Sequence, residues 1–262
     1  MRDVQNEPDY RNIPLDKVGV EGLLYPINVM HREEGLMSTV ATVSLTVDLP
    51  HNFRGTHMSR FVEVLKRFHG LISLHTLEEI LDATKEALDA ETAHIELDFP
   101  YFIKKKAPVS GVESYMNYGC KFMASKRDRF DFVLEVRTPV HLLCPCSKEI
   151  SKYSAHNQRG EVLIQVRMKG LVWIEDLVEI SESSASAPLY SILKREDEKF
   201  ITERAYENPK FVEDVARDVA LRLDDNPKVT WYYVRVTSFE SIHNHNAYAC
   251  LRREKVAGRQ SS

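Results

Sequence analysis

From Thr42 to Leu49 apolar and polar residues alternate: Val43, Leu45, Val47 and Leu49 face one way, and Thr42, Ser44, Thr46 and Asp48 the other. A period of two marks a half-buried strand. The turn-like Arg32-Glu33-Glu34-Gly35 places a partner strand before it, across Val18 to Met30. The period then becomes helical. Phe61, Val64, Leu65 and Phe68 fall at i, i+3, i+4 and i+7 and stop at Gly70. In the next helix Thr76 and Glu79 form a capping box, with Leu77, Ile80, Leu81 and Leu88 as the apolar stripe. Ile95, Leu97 and Phe99 against His94, Glu96 and Asp98 return the chain to strand over Ala93–Phe99.

Ala107-Pro108-Val109-Ser110-Gly111 reads as a linker. Beyond it the order of elements recurs without close sequence repetition. Strands are expected over Val112–Met123, Phe132–Val140 and Glu161–Lys169, and helices over Trp173–Ile180 and Pro209–Leu223. Strands follow over Val229–Thr237 and Ala247–Arg252. Strands, two helices and more strand, twice over, predict an α+β fold of two units with antiparallel sheets. The first unit is expected over 14–107 and the second over 108–255, between a flexible arm at 1–13 and a flexible tail at 256–262.

Composition narrows the function. A chain of 262 residues can bury a sizeable core. Its net charge of −4 gives no global basic field for nucleic acid. No apolar run approaches the ~20 residues of a membrane span, and the first residues lack the apolar core of a signal peptide. The expectation is a cytoplasmic protein with no nucleic-acid or membrane partner. Cys120, Cys144, Cys146 and Cys250 are too few for a disulfide framework, so reduced thiols are expected.

Candidate chemistry is concentrated in two stretches. Cys144-Pro145-Cys146-Ser147-Lys148-Glu149 is followed closely by His156-Asn157-Gln158-Arg159, and Glu240-Ser241-Ile242-His243-Asn244-His245 lies near the other end. Thiolate, imidazole and carboxylate together suit an open, catalytic Zn²⁺ or Fe²⁺ site. The pattern predicts that the fold joins both stretches around one metal. Other readings stand beside this one: Cys144 and Cys146 as small buried residues, and the histidine run as a solvated loop. On a strand His243 and His245 would share a side, and Glu240 would need a bend to join them.

Glu213 falls on the margin of the stripe formed by Val212, Val215, Ala216, Val219 and Leu223, in a helix that Asn208 can cap and Pro209 can start. It could line a cleft or answer the helix dipole, while Asp214 points away. Lys194-Arg195-Glu196-Asp197-Glu198-Lys199 reads as a solvated charge run. Lys104–Lys106, or Arg54, His57 and Arg60, could neutralise phosphates or simply face water. The deaminase pattern of H-x-E followed by P-C-x-x-C is not met: His94-Ile95-Glu96 reads as strand, and Glu149 stands where the second cysteine belongs.

Taken together, the motifs Leu143-Cys144-Pro145-Cys146-Ser147-Lys148-Glu149-Ile150-Ser151, Ala155-His156-Asn157-Gln158-Arg159, Glu207-Asn208-Pro209-Lys210-Phe211-Val212-Glu213-Asp214 and Glu240-Ser241-Ile242-His243-Asn244-His245 resemble the prokaryotic type IB GTP cyclohydrolases I. So do Gly55-Thr56-His57-Met58-Ser59-Arg60-Phe61, Ala107–Gly111 and Leu193–Glu198. The resemblance implies two tandem tunnelling-fold units, each an antiparallel sheet with two helices on one face. It also implies a homotetramer with active sites at subunit interfaces. The implied reaction hydrolyses GTP to formate and 7,8-dihydroneopterin triphosphate, the first step toward folate-type pterins. Cys144, His156, Glu198, Glu240 and His243 are implied around one Mn²⁺, Fe²⁺ or Zn²⁺, with Cys144, His156 and His243 catalytic and Glu213 anchoring guanine. Two alternatives remain at this point. One is a related tunnelling-fold enzyme, such as a nitrile reductase using NADPH. The other is a non-catalytic nucleotide- or metal-binding protein.

Overall fold

The computed structural model describes residues 5, 9–51, 53–68 and 70–255. Residues 1–4 and 6–8 of the expected arm, and the whole expected tail, lie outside them. Spatial contacts divide the chain into two compact units. One holds the chain up to Pro100 together with Lys121–Val133; the other holds Tyr101–Cys120 and everything from Leu134 onward.

The first unit carries β1 (Leu15–His31), β2 (Gly35–Leu49), α1 (Met58–Arg67), β3 (Leu71–Ile72) and α2 (Leu74–Leu88). β1 and β2 pair antiparallel from His31↔Gly35 to Leu15↔Leu49, across the expected turn. β4 (Ala93–Lys106) pairs with β2, matching Leu45 to Ile95 and Val43 to Leu97. These residues are buried, as are Phe61, Val64 and Leu65 of α1 and Leu77, Ile80 and Leu81 of α2. α2 starts earlier than its expected cap. Ser73, in extended conformation, accepts from the Thr76 N–H at 3.2 Å, and its own N–H donates to Thr76 Oγ1 at 2.7 Å. Thr76 is therefore the third helical residue, not the cap, and Glu79 has no part in the box.

The second unit contains the rest. β5 (Glu113–Lys126) and β6 (Phe130–Leu143) are long strands that, like β4, contribute residues to both units. After them come α3 (Pro145–Ile150), β7 (Asn157–Met168), α4 (Ile174–Ser184), β8 (Ala187–Pro188), α5 (Arg195–Glu207) and α6 (Val212–Asp225). β9 (Val229–Ser238) and β10 (Ala247–Glu254) end the chain's described elements. The strand order here is β10-β9-β7-β6-β5-β4. Val162, Ile164 and Val166 of β7 and Tyr232, Val234 and Val236 of β9 are buried, with Leu177 of α4 and Val215, Val219 and Leu223 of α6. Among the described residues no helix is long and apolar enough to cross a membrane.

The expected linker at Ala107–Gly111 is instead the turn of the β4–β5 hairpin. Ala107 N–H donates to Val112 O, Gly111 N–H donates to Ala107 O, and Gly111 takes φ +69°. Asp197 fastens that turn to the start of α5. Its carboxylate accepts from the N–H groups of Val109 (2.8 Å), Ser110 (2.9 Å) and Lys194 (2.8 Å), and from Ser110 Oγ (2.6 Å). The charge run thus belongs largely to a helix whose buried stripe is Asp197, Ile201 and Ala205. Counting apolar residues misses it because one position in three is an acid.

The same device opens the neighbouring helices. Trp173 N–H donates to Asp176, and Phe211 N–H donates to Asp214 at 3.0 Å, each a third-position carboxylate reaching back to the cap. Phe211, not Asn208, is therefore the cap of α6, and Asp214, outside the buried stripe as expected, reaches back to the helix start. Asn208 ends α5, its amide donating to Ala185 O and Ser186 O.

Gly160 pairs with Ser238 and with Val140 in the middle of the second unit's sheet. A Cβ there would sit 2.8 Å from Thr237 O and 2.5 Å from Leu142 Cδ1. The backbone oxygen cannot yield without moving β9. Gly160→Ala is expected to cost about 1–3 kcal/mol, read as a lower urea midpoint. Wild-type stability in this variant would contradict the close approach of β7 and β9.

The Asp197 carboxyl gives a pH prediction. Burial acts on it most strongly and pushes its pKa up, but the bonds from Ser110, Lys194 and Val109 outweigh that and hold it below the usual range. A depressed pKa contributes stability that is present above the unfolded value of about 3.9 and lost as pH falls toward the folded one. Asp197→Asn should therefore be less stable than wild type at pH 7, with the gap narrowing below about pH 4. A gap in urea midpoint that stays constant from pH 7 to pH 3 would refute this.

Candidate active site

β6 ends at Leu143, and the next residue begins the site. Cys144 is extended (φ −71°, ψ 118°) and caps α3, with Pro145 as the first helical residue. Proline needs no N–H there and suits the start of a helix. Cys144 Sγ accepts from Ser147 N–H at 3.4 Å. Its own N–H donates to His156 O at 3.2 Å, while His156 N–H donates to Ser147 Oγ at 3.2 Å. These bonds close the loop between α3 and β7 and hold Cys144 beside His156. Cys146, one step into the helix, is exposed, so the two thiols part.

The second stretch arrives through the pairing of β7 and β9. Gly160 opposite Ser238 sets the register, and Phe239 N–H donates to Arg159 O at 3.0 Å. Glu240 then lies with its carboxylate 3.8 Å from His156 Nδ1, both side chains largely buried. Residues 241–245 are bends, so His243 and His245 do not lie on a strand. Their rings nevertheless stack, with centroids 5.1 Å apart at 17°, and the His243 ring stands edge-on to His156 at 6.3 Å. The bend that Glu240 needs to join the histidines is therefore present.

Sequence reasoning quoted Gln158 but gave it no role. Its Oε1 contacts His156 Nδ1 at 2.9 Å and accepts from Ser241 Oγ at 3.2 Å, and its Nε2 donates to Ser238 Oγ at 2.9 Å. Only the spacing from His156 on a strand, i and i+2, could have flagged it.

Glu198 and Glu213 stand elsewhere. Both are exposed in the first turns of α5 and α6. Each is the chain neighbour of a capping aspartate. Asp197 is buried and Asp214 reaches back to the Phe211 N–H, while the adjacent glutamates stay exposed. Lys148 Nζ donates to Tyr206 O and sits 4.2 Å over its ring, and Lys210 N–H donates to Leu143 O. The Cys144 loop is thus docked at the C-terminal end of α5. Glu198 lies eight residues earlier, about 12 Å along the axis. A cleft of about 280 Å³ between these parts is lined by His141, Asn157, Thr202, Glu203 and Tyr206 among others.

Among the described residues, no three His, Cys, Asp or Glu side chains converge tightly enough to hold a metal ion. The expected five-residue set is therefore not assembled within this chain. His156, Glu240 and His243 are together, Cys144 is tied in through the backbone, and the two helix glutamates are apart.

The chain as a whole is similar to known proteins. The family model for type I GTP cyclohydrolase folE2 matches residues 1–249. The chain is 57% identical to GTP cyclohydrolase FolE2 of Kosmotoga olearia, over 97% of this chain and 99% of that protein. It is 58% identical to the protein of the same name from Thermosipho melanesiensis, over 96% and 97% respectively. In fold it is similar to uricase from Arthrobacter globiformis, with a TM-score of 0.54 at 8% identity, over 94% of this chain and 96% of that one. It is also similar to urate oxidase from Bacillus sp. TB-90, with a TM-score of 0.52 at 8% identity, over 92% and 100%. At that identity the likeness concerns the fold alone: α+β, with a mostly antiparallel sheet. The chain belongs to the type I GTP cyclohydrolase FolE2 family.

Proposed function

We propose that this protein is a type IB GTP cyclohydrolase I, a hydrolase of cyclic amidine carbon–nitrogen bonds. It converts GTP and water to formate and 7,8-dihydroneopterin triphosphate in folate biosynthesis. The observation that carries the reading is the meeting of Cys144, His156, Glu240 and His243 at one end of the second unit, in a chain matched along its length by FolE2 proteins. We read the fold as two tandem tunnelling-fold units and the protein as cytoplasmic.

The donor set fits a divalent transition metal. Thiolate, imidazole and carboxylate together accept Mn²⁺, Fe²⁺ or Zn²⁺. Cys144 and His156 would hold it, with Glu240, His243 and Glu198 as the remaining candidates. When bound, such a metal lowers the pKa of water and so supplies a nucleophile for C8 of the purine at neutral pH. His243 faces solvent and is not buried behind His156, so it can carry a proton to the ring nitrogen as the C8–N bond opens. A second hydration releases formate, the opened ribose rearranges to a ketone, and the freed amine condenses with it and expels one water, so that one water is consumed overall. His245, stacked on His243, limits the directions that ring can take.

Glu213 is the anchor we assign to guanine, its carboxylate accepting from N1–H and the 2-amino group. Its exposure, like that of Glu198, fits a site completed by a second copy of the chain, as in a homotetramer with active sites at interfaces. Closed-point-group assemblies build shared sites in this way.

Metal-stripped protein given GTP should release formate and a fluorescent oxidised pterin only after Mn²⁺, Fe²⁺ or Zn²⁺ is restored. His243→Ala should lower kcat by roughly 10²–10⁴-fold. Glu213→Ala should instead raise KM for GTP by about 10–100-fold. No formate from folded, metal-replete protein would end the cyclohydrolase reading. The shared site has its own test. Cys144→Ala and Glu213→Ala subunits, unfolded and refolded together and assayed at GTP well below the raised KM of Glu213→Ala, should show more activity than the sum of the two alone, whereas a mixture no better than its parts would confine each site to one chain.

A further inference from the structure

We propose that Gln158 is the positioning residue that decides which nitrogen His156 presents to the metal. The inference rests on the reading of His156 as a ligand. An amide oxygen can only accept, so the 2.9 Å contact between Gln158 Oε1 and His156 Nδ1 requires the proton on Nδ1. Turning the amide over would require both of its serine partners to exchange donor and acceptor roles. Its Nε2 is engaged by Ser238 Oγ at 2.9 Å, and its Oε1 also receives Ser241 Oγ at 3.2 Å. Neutral His156 then carries its lone pair on Nε2, leaving that nitrogen, of the two able to bind a metal, as the one available. Glu240, 3.8 Å from Nδ1, is beyond hydrogen-bond reach and does not set this choice. Because Ser238 ends β9 and Ser241 lies in the following loop, one side chain orients the ring and holds the Glu240–His243 segment against β7.

A merely structural Gln158 would staple β7 to that loop without affecting the tautomer. The test uses the full-length, metal-free protein with ¹⁵N-labelled histidine, His156 being assigned by comparison with His156→Ala. Wild type should show Nδ1–H at His156. Gln158→Met should lose that preference and bind Zn²⁺ about 10–100-fold more weakly. Gln158→Glu, which keeps an acceptor oxygen at the same reach, should restore the Nδ1–H form. Its kcat should recover more than its KM for GTP changes. Wild type carrying Nε2–H would overturn the proposal by itself, whatever the variants do. So would a folded Gln158→Met with the wild-type tautomer and Zn²⁺ affinity. Wild type that binds no Zn²⁺ would overturn the metal reading instead, and the tautomer comparison, made without metal, would still decide the role of Gln158.

Discussion

The antiparallel pairing of β7 with β9 is the constraint on which the site depends. Its register sets Gly160 against Ser238. The start of one strand and the end of the other therefore meet at one edge of the core, although about eighty residues separate them in sequence. A shift of one residue would turn every side chain of β9 to the opposite face. Val234 and Val236 would leave the core, so the register is fixed by burial long before any chemistry is considered. The lack of a side chain at Gly160 lets the strands close there. His156 and Glu240 inherit their proximity from this packing.

Helix capping imposes a second order on the charged groups. Asp176, Asp197 and Asp214 all spend their carboxylates on backbone N–H groups at helix starts. An aspartate so used cannot face a substrate. The glutamates next to two of them, Glu198 and Glu213, are left exposed on first turns where the N–H ends favour negative charge. Folding takes the shorter acid and leaves the longer, more mobile one at the surface.

Much of the fold was legible because its strands obey period two. Val43, Leu45 and Val47, and again Val162, Ile164 and Val166, lie buried as alternation requires. Three parts were hidden for physical reasons. α5 carries an aspartate in its buried stripe, so no apolar periodicity marks it. The Ala107–Gly111 turn has linker composition, yet it is pinned by a residue nearly ninety positions away. The helix caps at Ser73 and Phe211 depend on local backbone geometry that neighbouring candidates such as Thr76 and Asn208 imitate in sequence. In the site, residue types pointed to the chemistry, but the 240–245 bend and the role of Gln158 emerge only from the pairing of strands.

The remaining buried charges explain why the site can stay open. Lys105 donates to Glu182 at 2.6 Å and to Leu189 O at 2.7 Å, and Tyr118 OH also donates to Glu182. Burial pushes the lysine below its usual pKa while Glu182 pulls it back, and burial with the same carboxylate raises Tyr118. Every charge in that cluster has a partner, as low dielectric demands. The His156 end differs: Cys144 is half-buried, His243 and His245 are exposed, and Glu240 lacks a hydrogen bond to the imidazole it faces. The Lys105–Glu182–Tyr118 cluster is satisfied by the chain itself, whereas at the His156 edge the histidines of the 241–245 bend face solvent. Donors already paired internally would have to be released before any ligand could bind, which favours the exposed histidines of this edge over the Lys105–Glu182 cluster.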